Sequence, residues 1–235
     1  MNKILSIATC VYNKWPFTKK YLEDLSKLPN THEIIIVDNG SIDDTQKNLQ
    51  GSTEIIYYRF DENFGFSKGS NRAYNLSTAP NVMFLNNDIR VKENHSSWTQ
   101  PIIDKCNDGL VGPTMGLLDD NLNFIKEANA YLDGNSYMSG WCLTASKNIW
   151  SKLEITHSIS GASVDKIDGT DEIFSEEFFA YFEDTDLSFR AKKLSIPMYV
   201  VDVPVVHFGR QTSNQLNTYK LYKKSREIFV KKWGK

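Results

Sequence analysis

Acidic and aromatic side chains lie together in residues 176–193, EEFFAYFEDTDLSFRAKK, the stretch whose residue types are best suited to chemistry. Carboxylates hold protons and charge, while aromatic rings exclude water, and this combination shifts the pKa of an acid or base. The adjacent Glu183 and Asp184 therefore form a candidate reaction centre. The alternative is that Asp184 only caps a helix and that Glu183 is a solvated surface acid.

The local pattern around this pair predicts a helix from Asp186 to about Leu194, with Asp184 or Thr185 as its N-cap. Residues 178–182 could form a short helical turn or a strand. Glu183 and Asp184 would then lie at the positive end of the helix dipole, which stabilises a carboxylate. Asp186 and Arg190, one turn apart, are expected to form a supporting ion pair.

The elements that position this pair belong to a chain of 235 residues, long enough for one domain or one domain with an appendage. The composition is typical of a soluble globular protein, and no apolar run approaches the roughly 20 residues that span a bilayer. Three widely spaced cysteines without a CxxC pair argue against a disulfide framework and a structural zinc site, and favour a reducing cytosol. We therefore expect a cytoplasmic protein whose N-terminus forms the first strand.

The charge is distributed unevenly along the chain. Residues 219–235 carry seven basic side chains against one glutamate, a net charge of +6, so that the rest of the chain carries −8 within a total of −2. On a helix, Tyr219, Tyr222, Phe229, Val230 and Trp233 share one stripe and the lysines another. Such a helix could dock on the domain by its aromatic stripe, or contact anionic lipid headgroups as a peripheral protein on the cytoplasmic membrane face. Nucleic acid is not expected as a partner, because the remainder of the chain is acidic.

The first half predicts the order β-α-β-α-β-α-β, with strands at Ile4–Thr9, Ile34–Val37, Ile55–Tyr58 and Val82–Leu85. Short connections and continuous apolar runs of this kind are typical of a doubly wound α/β sheet with its ligand site at the carboxyl ends of the strands. Those ends carry Asn13, Asp38 and Asp88, although such residues are also common in turns.

A glycine-rich loop at residues 63–71, NFGFSKGSN, precedes the third helix. Its glycines, the cation of Lys68 and the following helix N-terminus could cradle a diphosphate. It matches neither a Walker A loop nor a GxGxxG loop. A glycine-rich turn that packs on the sheet is the alternative.

The ordered set of motifs resembles the family-2 type of nucleotide-sugar glycosyltransferase with a GT-A fold, particularly its small bacterial rhamnosyltransferase-like members. The motifs are SIATCVYN, EIIIVDNGSIDDT, ENFGFSKGSNRAYN, VMFLNND, SGWCLTAS, FFAYFEDTDLSFRAKK and VPVVHFG, which extend from about residue 3 to residue 210. The resemblance implies a Rossmann-like doubly wound mixed sheet with helices on both faces and a C-terminal amphipathic helix. Residues 1–100 would bind the nucleotide sugar, residues 101–210 the acceptor, and residues 211–235 would form a mobile loop and the basic helix.

The resemblance also implies the residues of the donor site. Asp38 would accept the imide N–H of a uracil or thymine ring, and the loop at 63–71 would pass the diphosphate. The implied nucleotide-sugar-binding residues are Thr9, Tyr12, Asn13, Asp38, Asn63, Gly65, Lys68, Asn71, Asn86, Asn87 and Arg210.

Asn86, Asn87 and Asp88 occupy the place of the family's DxD motif, and only the last position keeps a carboxylate. Asp88 is therefore the implied ligand of Mg2+ or Mn2+. His207, in VPVVHFG, matches a histidine that approaches the metal or diphosphate in many relatives and is the second implied ligand; the alternative is a packed or capping histidine. Because Asn86 replaces the first acid, the nucleotide would supply much of the coordination.

On the acceptor side the resemblance makes Asp184 the general base of an inverting transfer, with Glu183 orienting the acceptor. Gly140, Trp141 and Cys142 match the acceptor motif, and Trp141 with the aromatic run 178–182 could stack on sugar faces. Residues 155–175 are longer than in typical relatives and form an insertion that either binds acceptor or is merely tolerated.

The implied function is transfer of a sugar from a UDP- or dTDP-sugar to a glycan, lipid-linked glycan or glycoprotein in bacterial surface polysaccharide or glycoprotein synthesis. Two alternatives remain: a glycoside hydrolase that uses paired acids, and a non-catalytic GT-A-like scaffold or glycan-binding module.

Overall fold

The computed structural model describes residues 2–92, 95–155, 158–159, 162–163, 171–209 and 217–234. The helices are α1 (Trp15–Leu25), α2 (Thr45–Leu49), α3 (Phe66–Asn75), α4 (Gln100–Ile103), α5 (Lys147–Leu153), α6 (Glu183–Lys193) and α7 (Thr218–Trp233). The strands are β1 (Leu5–Val11), β2 (His32–Asp38), β3 (Ile55–Arg59), β4 (Asn81–Leu85), β5 (Ile89–Val91), β6 (Leu110–Gly112), β7 (Met115–Leu118), β8 (Phe124–Ala128), β9 (Asn135–Met138), β10 (Cys142–Ser146), β11 (Ser158–Ile159), β12 (Ala162–Ser163), β13 (Met198–Val200) and β14 (Val205–His207).

A seven-stranded mixed sheet forms the centre of the fold, in the order β13-β6-β10-β4-β1-β2-β3. β1 pairs in parallel with β2 and β4, and β2 pairs in parallel with β3. β10 is antiparallel to both of its neighbours, β4 and β6. The predicted alternation of four strands and three helices in the first half is confirmed.

Helices cover both faces of this sheet, as alternating side chains of β2 illustrate. Ile35 and Val37 pack into one buried cluster with Ala73 of α3, whereas Ile36 packs into a second cluster with Tyr21 of α1. Since successive residues of a strand point to opposite faces, the continuous apolar run of β2 serves both layers. The prediction of a doubly wound α/β sheet is confirmed.

Two smaller sheets complete the site region. β7 lies between β8 and β9 in an antiparallel sheet, and β14 pairs antiparallel with β5. The β5–β14 register sets His207 opposite Ile89. This pairing brings the end of β14 beside Asp88, which directly precedes β5.

Helix α6 begins earlier than the sequence predicted. Its N-cap is Phe182, not Asp184 or Thr185, and Phe182 makes no side-chain capping hydrogen bond. Tyr181 and Phe182 both adopt the left-handed backbone region, with φ of 70° and 68°, and this turn starts the helix at Glu183. Glu183 and Asp184 therefore lie inside the first helical turn. The predicted Asp186–Arg190 ion pair is confirmed, at 3.0 Å.

Helix α7 docks on the domain through part of its predicted aromatic stripe. Phe229 is fully buried against Phe182 and Phe189, and the Trp233 indole N–H donates to Asp186 Oδ1 at 2.8 Å. Tyr219, predicted for the same stripe, is instead 77% exposed because it precedes the packed part of the helix. Within the described residues, no helix is both long and apolar enough to cross a membrane.

Candidate active site

A cleft of about 300 Å³ opens at the carboxyl ends of β1, β2 and β4. The sequence-predicted residues that line it are Tyr12, Asn63, Gly65, Asn86, Asn87, Asp88, Gly140, Trp141, Glu183, Asp184 and His207. They come from six separate stretches of the chain, so the fold, and not sequence proximity, assembles them. The size suits a small ligand enclosed by polar and aromatic groups.

The Asp184 carboxylate is held by backbone and side-chain donors from two elements. The Gly140 N–H donates to Oδ2 at 2.8 Å, and the Thr185 N–H donates to Oδ1 at 2.7 Å. A Cβ built on Gly140 would lie 3.0 Å from Asp184 Cβ, which explains why this position accommodates glycine. The close approach that the sequence assigned to an acceptor is made here to Asp184 itself.

Glu183, the neighbouring acid, is buried in the cleft wall. Its Oε2 has no hydrogen-bond partner among the described residues. Burial, together with the charge of Asp184, raises the pKa of Glu183 to about 8. Burial also raises the pKa of Asp184, against the lowering effect of its bonds to Gly140 and Thr185. The expected stabilisation by the helix dipole is therefore outweighed by burial, and near neutral pH the pair retains a proton.

Asp88 and His207 face each other across the cleft floor. His207 Nε2 lies 3.1 Å from Asp88 Oδ1, and both atoms are buried without a well-aligned hydrogen bond in the described part of the chain. A carboxylate oxygen and an imidazole nitrogen in this arrangement fit a divalent cation. No group of three or more His, Cys, Asp or Glu side chains suited to a metal occurs among the described residues. Phosphate oxygens of a nucleotide would have to complete such a site.

Trp141 lies directly behind this pair. Its ring stacks on the His207 imidazole with a centroid separation of 4.8 Å and an interplanar angle of 10°. The indole N–H donates to Thr114 Oγ1 at 2.8 Å, and the residue is 7% exposed. His207 thus covers one face of the Trp141 ring, which the sequence analysis predicted to stack on a sugar.

At the carboxyl end of β2, Asn39 lines the cleft, whereas Asp38, the residue that the sequence predicted for the site, does not. Asp38 is fully buried; its Oδ1 accepts the Ser41 N–H at 2.8 Å and its Oδ2 accepts the Tyr57 hydroxyl at 2.9 Å. Asn39 was missed, although it follows Asp38 in the same turn. Contact of Asp38 with a base stays a prediction, and its carboxylate already shapes that turn.

The glycine-rich loop packs on the acidic-aromatic segment. The Phe66 N–H, at the start of α3, donates to the Phe179 carbonyl at 2.7 Å. A Cβ on Gly65, whose φ is +92°, would lie 2.4 Å from that same carbonyl oxygen. The loop therefore positions residues 178–182, and the Phe66 amide is already engaged instead of free for phosphate.

Other predicted donor-site residues lie outside the cleft lining. Asn71 binds the backbone of Ile173 and Phe174 through its side-chain amide, and Lys68 Nζ lies 4.5 Å from the Phe64 ring centroid. The remaining members of this group are Thr9, Asn13 and, from the acceptor motif, Cys142. Arg210, and most of the predicted insertion and mobile loop, fall in residues 156–170 and 210–216, outside the described residues apart from the β11–β12 backbone.

The end of the cleft beside α7 includes residues that sequence reasoning missed. Thr218 and Leu221, from the first turns of α7, line it together with Phe179 and Tyr181 of the aromatic run. Phe178 and Phe182, from the same run, are buried in a cluster with Phe229. The basic composition of residues 219–235 does not indicate that this helix lines a cleft. Its aromatic stripe indicated only that the helix could dock on the domain.

Comparison with solved structures identifies the fold. PcManGT, a mannosyltransferase from Pyrobaculum calidifontis in complex with GDP-Man and Mn2+, superposes with a TM-score of 0.56 at 12% identity, covering 86% of this chain and 55% of that one. S. aureus TarS 1–349 gives a TM-score of 0.51 at 14% identity, covering 90% of this chain and 62% of that one. This chain thus spans less than two thirds of either protein, and the likeness confirms the GT-A fold.

No curated protein matches the sequence significantly. The model of glycosyl transferase family 2 matches residues 6–158, more than half of the chain. With this match and the GT-A architecture, the chain belongs to glycosyl transferase family 2.

Proposed function

We propose that this protein is an inverting, metal-dependent glycosyltransferase that moves a sugar from a UDP- or dTDP-sugar to a hydroxyl group. The acceptor would be a glycan, lipid-linked glycan or glycoprotein in bacterial polysaccharide or glycoprotein glycan synthesis. The observation that carries this proposal is the common cleft in which the Asp88–His207 pair and the Glu183–Asp184 pair lie. Family membership supports it.

In the proposed reaction Asp184 is the general base. The acceptor oxygen forms a bond to the anomeric carbon from the face opposite the diphosphate, and its proton passes to the Asp184 carboxylate. The bond between that carbon and the diphosphate oxygen breaks, and its electron pair leaves with the nucleoside diphosphate. The N–H groups of Gly140 and Thr185 hold the carboxylate in place throughout.

Asp88 and His207 would hold the divalent cation, Mg2+ or Mn2+. The bound cation supplies charge neutralisation for the diphosphate. The Mn2+ in the PcManGT complex supports this choice of ion. The Asn87 side chain donates to Thr18 Oγ1 at 2.9 Å, so it fixes the turn before Asp88.

The proposal is tested by separating binding from transfer. A thermal-shift panel of nucleotide sugars with and without Mn2+ identifies the donor, because binding to the folded state raises its stability. We expect Asp184→Asn to keep that shift and lose transfer, and Asp88→Ala to lose the Mn2+-dependent part of the shift. Full transfer by Asp184→Asn would contradict the base assignment. No shift with any nucleotide sugar would favour a non-catalytic scaffold.

We also propose peripheral contact of α7 with an anionic membrane on the cytoplasmic side. Lys220, Lys223, Lys224 and Lys231 are exposed on this helix, while Phe229 is buried in the domain. The contact would therefore be electrostatic. Co-sedimentation with phosphatidylglycerol vesicles but not with phosphatidylcholine vesicles is expected, and equal sedimentation of a variant with these four lysines changed to glutamine would refute it.

A further inference from the structure

The side chains of Thr114, Trp141 and His207 form a row that runs from the interior of the protein to Asp88. Thr114 accepts the indole N–H of Trp141 at 2.8 Å, and the Trp141 ring stacks on His207 at 4.8 Å. His207 Nε2 in turn lies 3.1 Å from Asp88 Oδ1. The nearly parallel rings, at 10°, leave the imidazole little freedom to rotate out of its plane.

The row is anchored at its inner end by the backbone. Thr114 is buried between β6 and β7, and its carbonyl accepts the Ser139 N–H at 3.0 Å. The Trp141 carbonyl accepts the Asn86 N–H at 2.9 Å, in the turn that carries Asp88. Trp141 therefore contacts both halves of the proposed metal site, the imidazole through its ring and the Asp88 turn through its backbone.

His207 needs such support because of its position. It is the last residue of the short strand β14, and its side chain is 24% exposed at the cleft. A side chain in that setting samples several rotamers unless neighbouring atoms restrict it. Partners that orient a ligating histidine change metal affinity substantially when they are removed.

We infer that Trp141 is a positioning residue of the metal site, whose indole, fixed by Thr114, holds the His207 imidazole with Nε2 toward Asp88. Trp141 thus acts on the donor diphosphate side through His207, in addition to any contact with an acceptor. The inference rests on the proposed metal dependence.

Mn2+ affinity in the presence of UDP or, if UDP gives no thermal shift, dTDP or GDP tests this inference, with free Mn2+ measured by electron paramagnetic resonance. Trp141→Leu removes the stacked ring and should weaken Mn2+ binding about tenfold, within the range known for partners of metal ligands. Trp141→Phe keeps a flat ring and should recover most of that loss. Thr114→Val and Trp141→Phe remove the same hydrogen bond, so the double variant should bind Mn2+ no more weakly than the weaker single variant.

The matched control is Trp150→Phe. Trp150 is fully buried and its indole N–H donates to the Val82 carbonyl at 3.1 Å, in the cluster on the other face of the sheet. This variant removes a comparable hydrogen bond and should leave Mn2+ affinity unchanged.

Three results would overturn the inference. The first is a folded Trp141→Leu variant that binds Mn2+ as tightly as the wild type does. The second is strict additivity, in the double variant, of the losses of Mn2+ affinity caused by Thr114→Val and Trp141→Phe. If Trp141→Leu does not fold, the additivity test decides alone. The third is a wild-type protein that binds no Mn2+ with UDP, dTDP or GDP, a result that also removes the metal dependence from the proposed function, whereas the first two leave it intact.

Discussion

Replacement of Gly140 by alanine tests whether the position of the Asp184 carboxylate limits the reaction. The added Cβ would lie 3.0 Å from Asp184 Cβ and 3.2 Å from Oδ2, closer than ordinary van der Waals contact. Gly140 does not occupy the left-handed region, so alanine causes no backbone strain there. The contact is relieved when the carboxylate moves by a few tenths of an ångström.

The size of the effect follows from that displacement. If a misplacement of about 1 Å costs roughly 100-fold in rate, a few tenths of an ångström costs about fivefold to tenfold in kcat. The stability cost of the added methyl group should be about 1–3 kcal/mol, measured by urea unfolding. Single-turnover release of nucleoside diphosphate, with the donor found in the thermal-shift panel, measures the rate.

The control is the same substitution in an Asp184→Ala background. Because alanine at 184 keeps the Cβ but removes the carboxylate whose position the new methyl group would change, Gly140→Ala should not change the residual rate of that background further. An unchanged kcat in Gly140→Ala, or an equal loss in both backgrounds, would refute the assignment of Gly140 as the residue that sets the Asp184 position.

Three further outcomes are expected. The pKa of Glu183 is raised from 4.5 to about 8 in the fold, so its contribution to stability is complete below about pH 4.5 and is lost as pH rises toward 8. Urea unfolding from pH 5 to 8 should therefore show a declining free energy that Glu183→Gln flattens, and equal slopes would contradict this. Phe229→Ala should destabilise by about 3–5 kcal/mol in the same assay, whereas a loss below about 1 kcal/mol would mean that α7 is not docked. Asp186→Ala leaves Lys232 and Arg190 without their shared carboxylate and should cost about 3–5 kcal/mol, against little change for Lys231→Met, whose side chain is exposed.

The parallel half of the sheet was predictable because each of its strands contains a continuous apolar run that can be recognised from the local sequence alone. β2 contains the uninterrupted apolar run Ile34–Val37, which is followed by Asp38, and similar runs located β1, β3 and β4. The antiparallel β10 and the short pair β5–β14 depend on partners far along the chain. Local periodicity does not contain that information.

The candidate site was predictable in its residue types and less so in its contacts. The adjacent acids Glu183 and Asp184 stand out by composition, but the bond from Gly140 to Asp184 joins residues 44 positions apart. Asn71 shows the opposite case, since its place in the glycine-rich loop predicted a ligand contact, which stays a prediction. Its side chain binds the backbone of Phe174, 103 positions away.

Asp186 connects the Glu183–Asp184 pair to other parts of the protein, and all three residues lie beyond the family match, which ends at residue 158. Its buried carboxylate accepts hydrogen bonds from Arg190, one turn along α6, and from Lys232 and Trp233 of α7. Arg190 also donates to the carbonyls of Leu153, just before the insertion at 155–175, and Ile173, near its end.

The helix that carries Asp184 is therefore joined, within one turn, to both ends of the insertion and to the C-terminal helix. The proposed donor side is built from the ends of sheet strands, whose register is fixed by backbone pairing. The proposed acceptor side is carried by α6, which is tied to its neighbours by side chains that meet at the buried Asp186 carboxylate. Under the proposed function, we expect that changes in α7 or in the insertion could alter the acceptor without disturbing the sheet, provided that Asp186 and its three partners are retained.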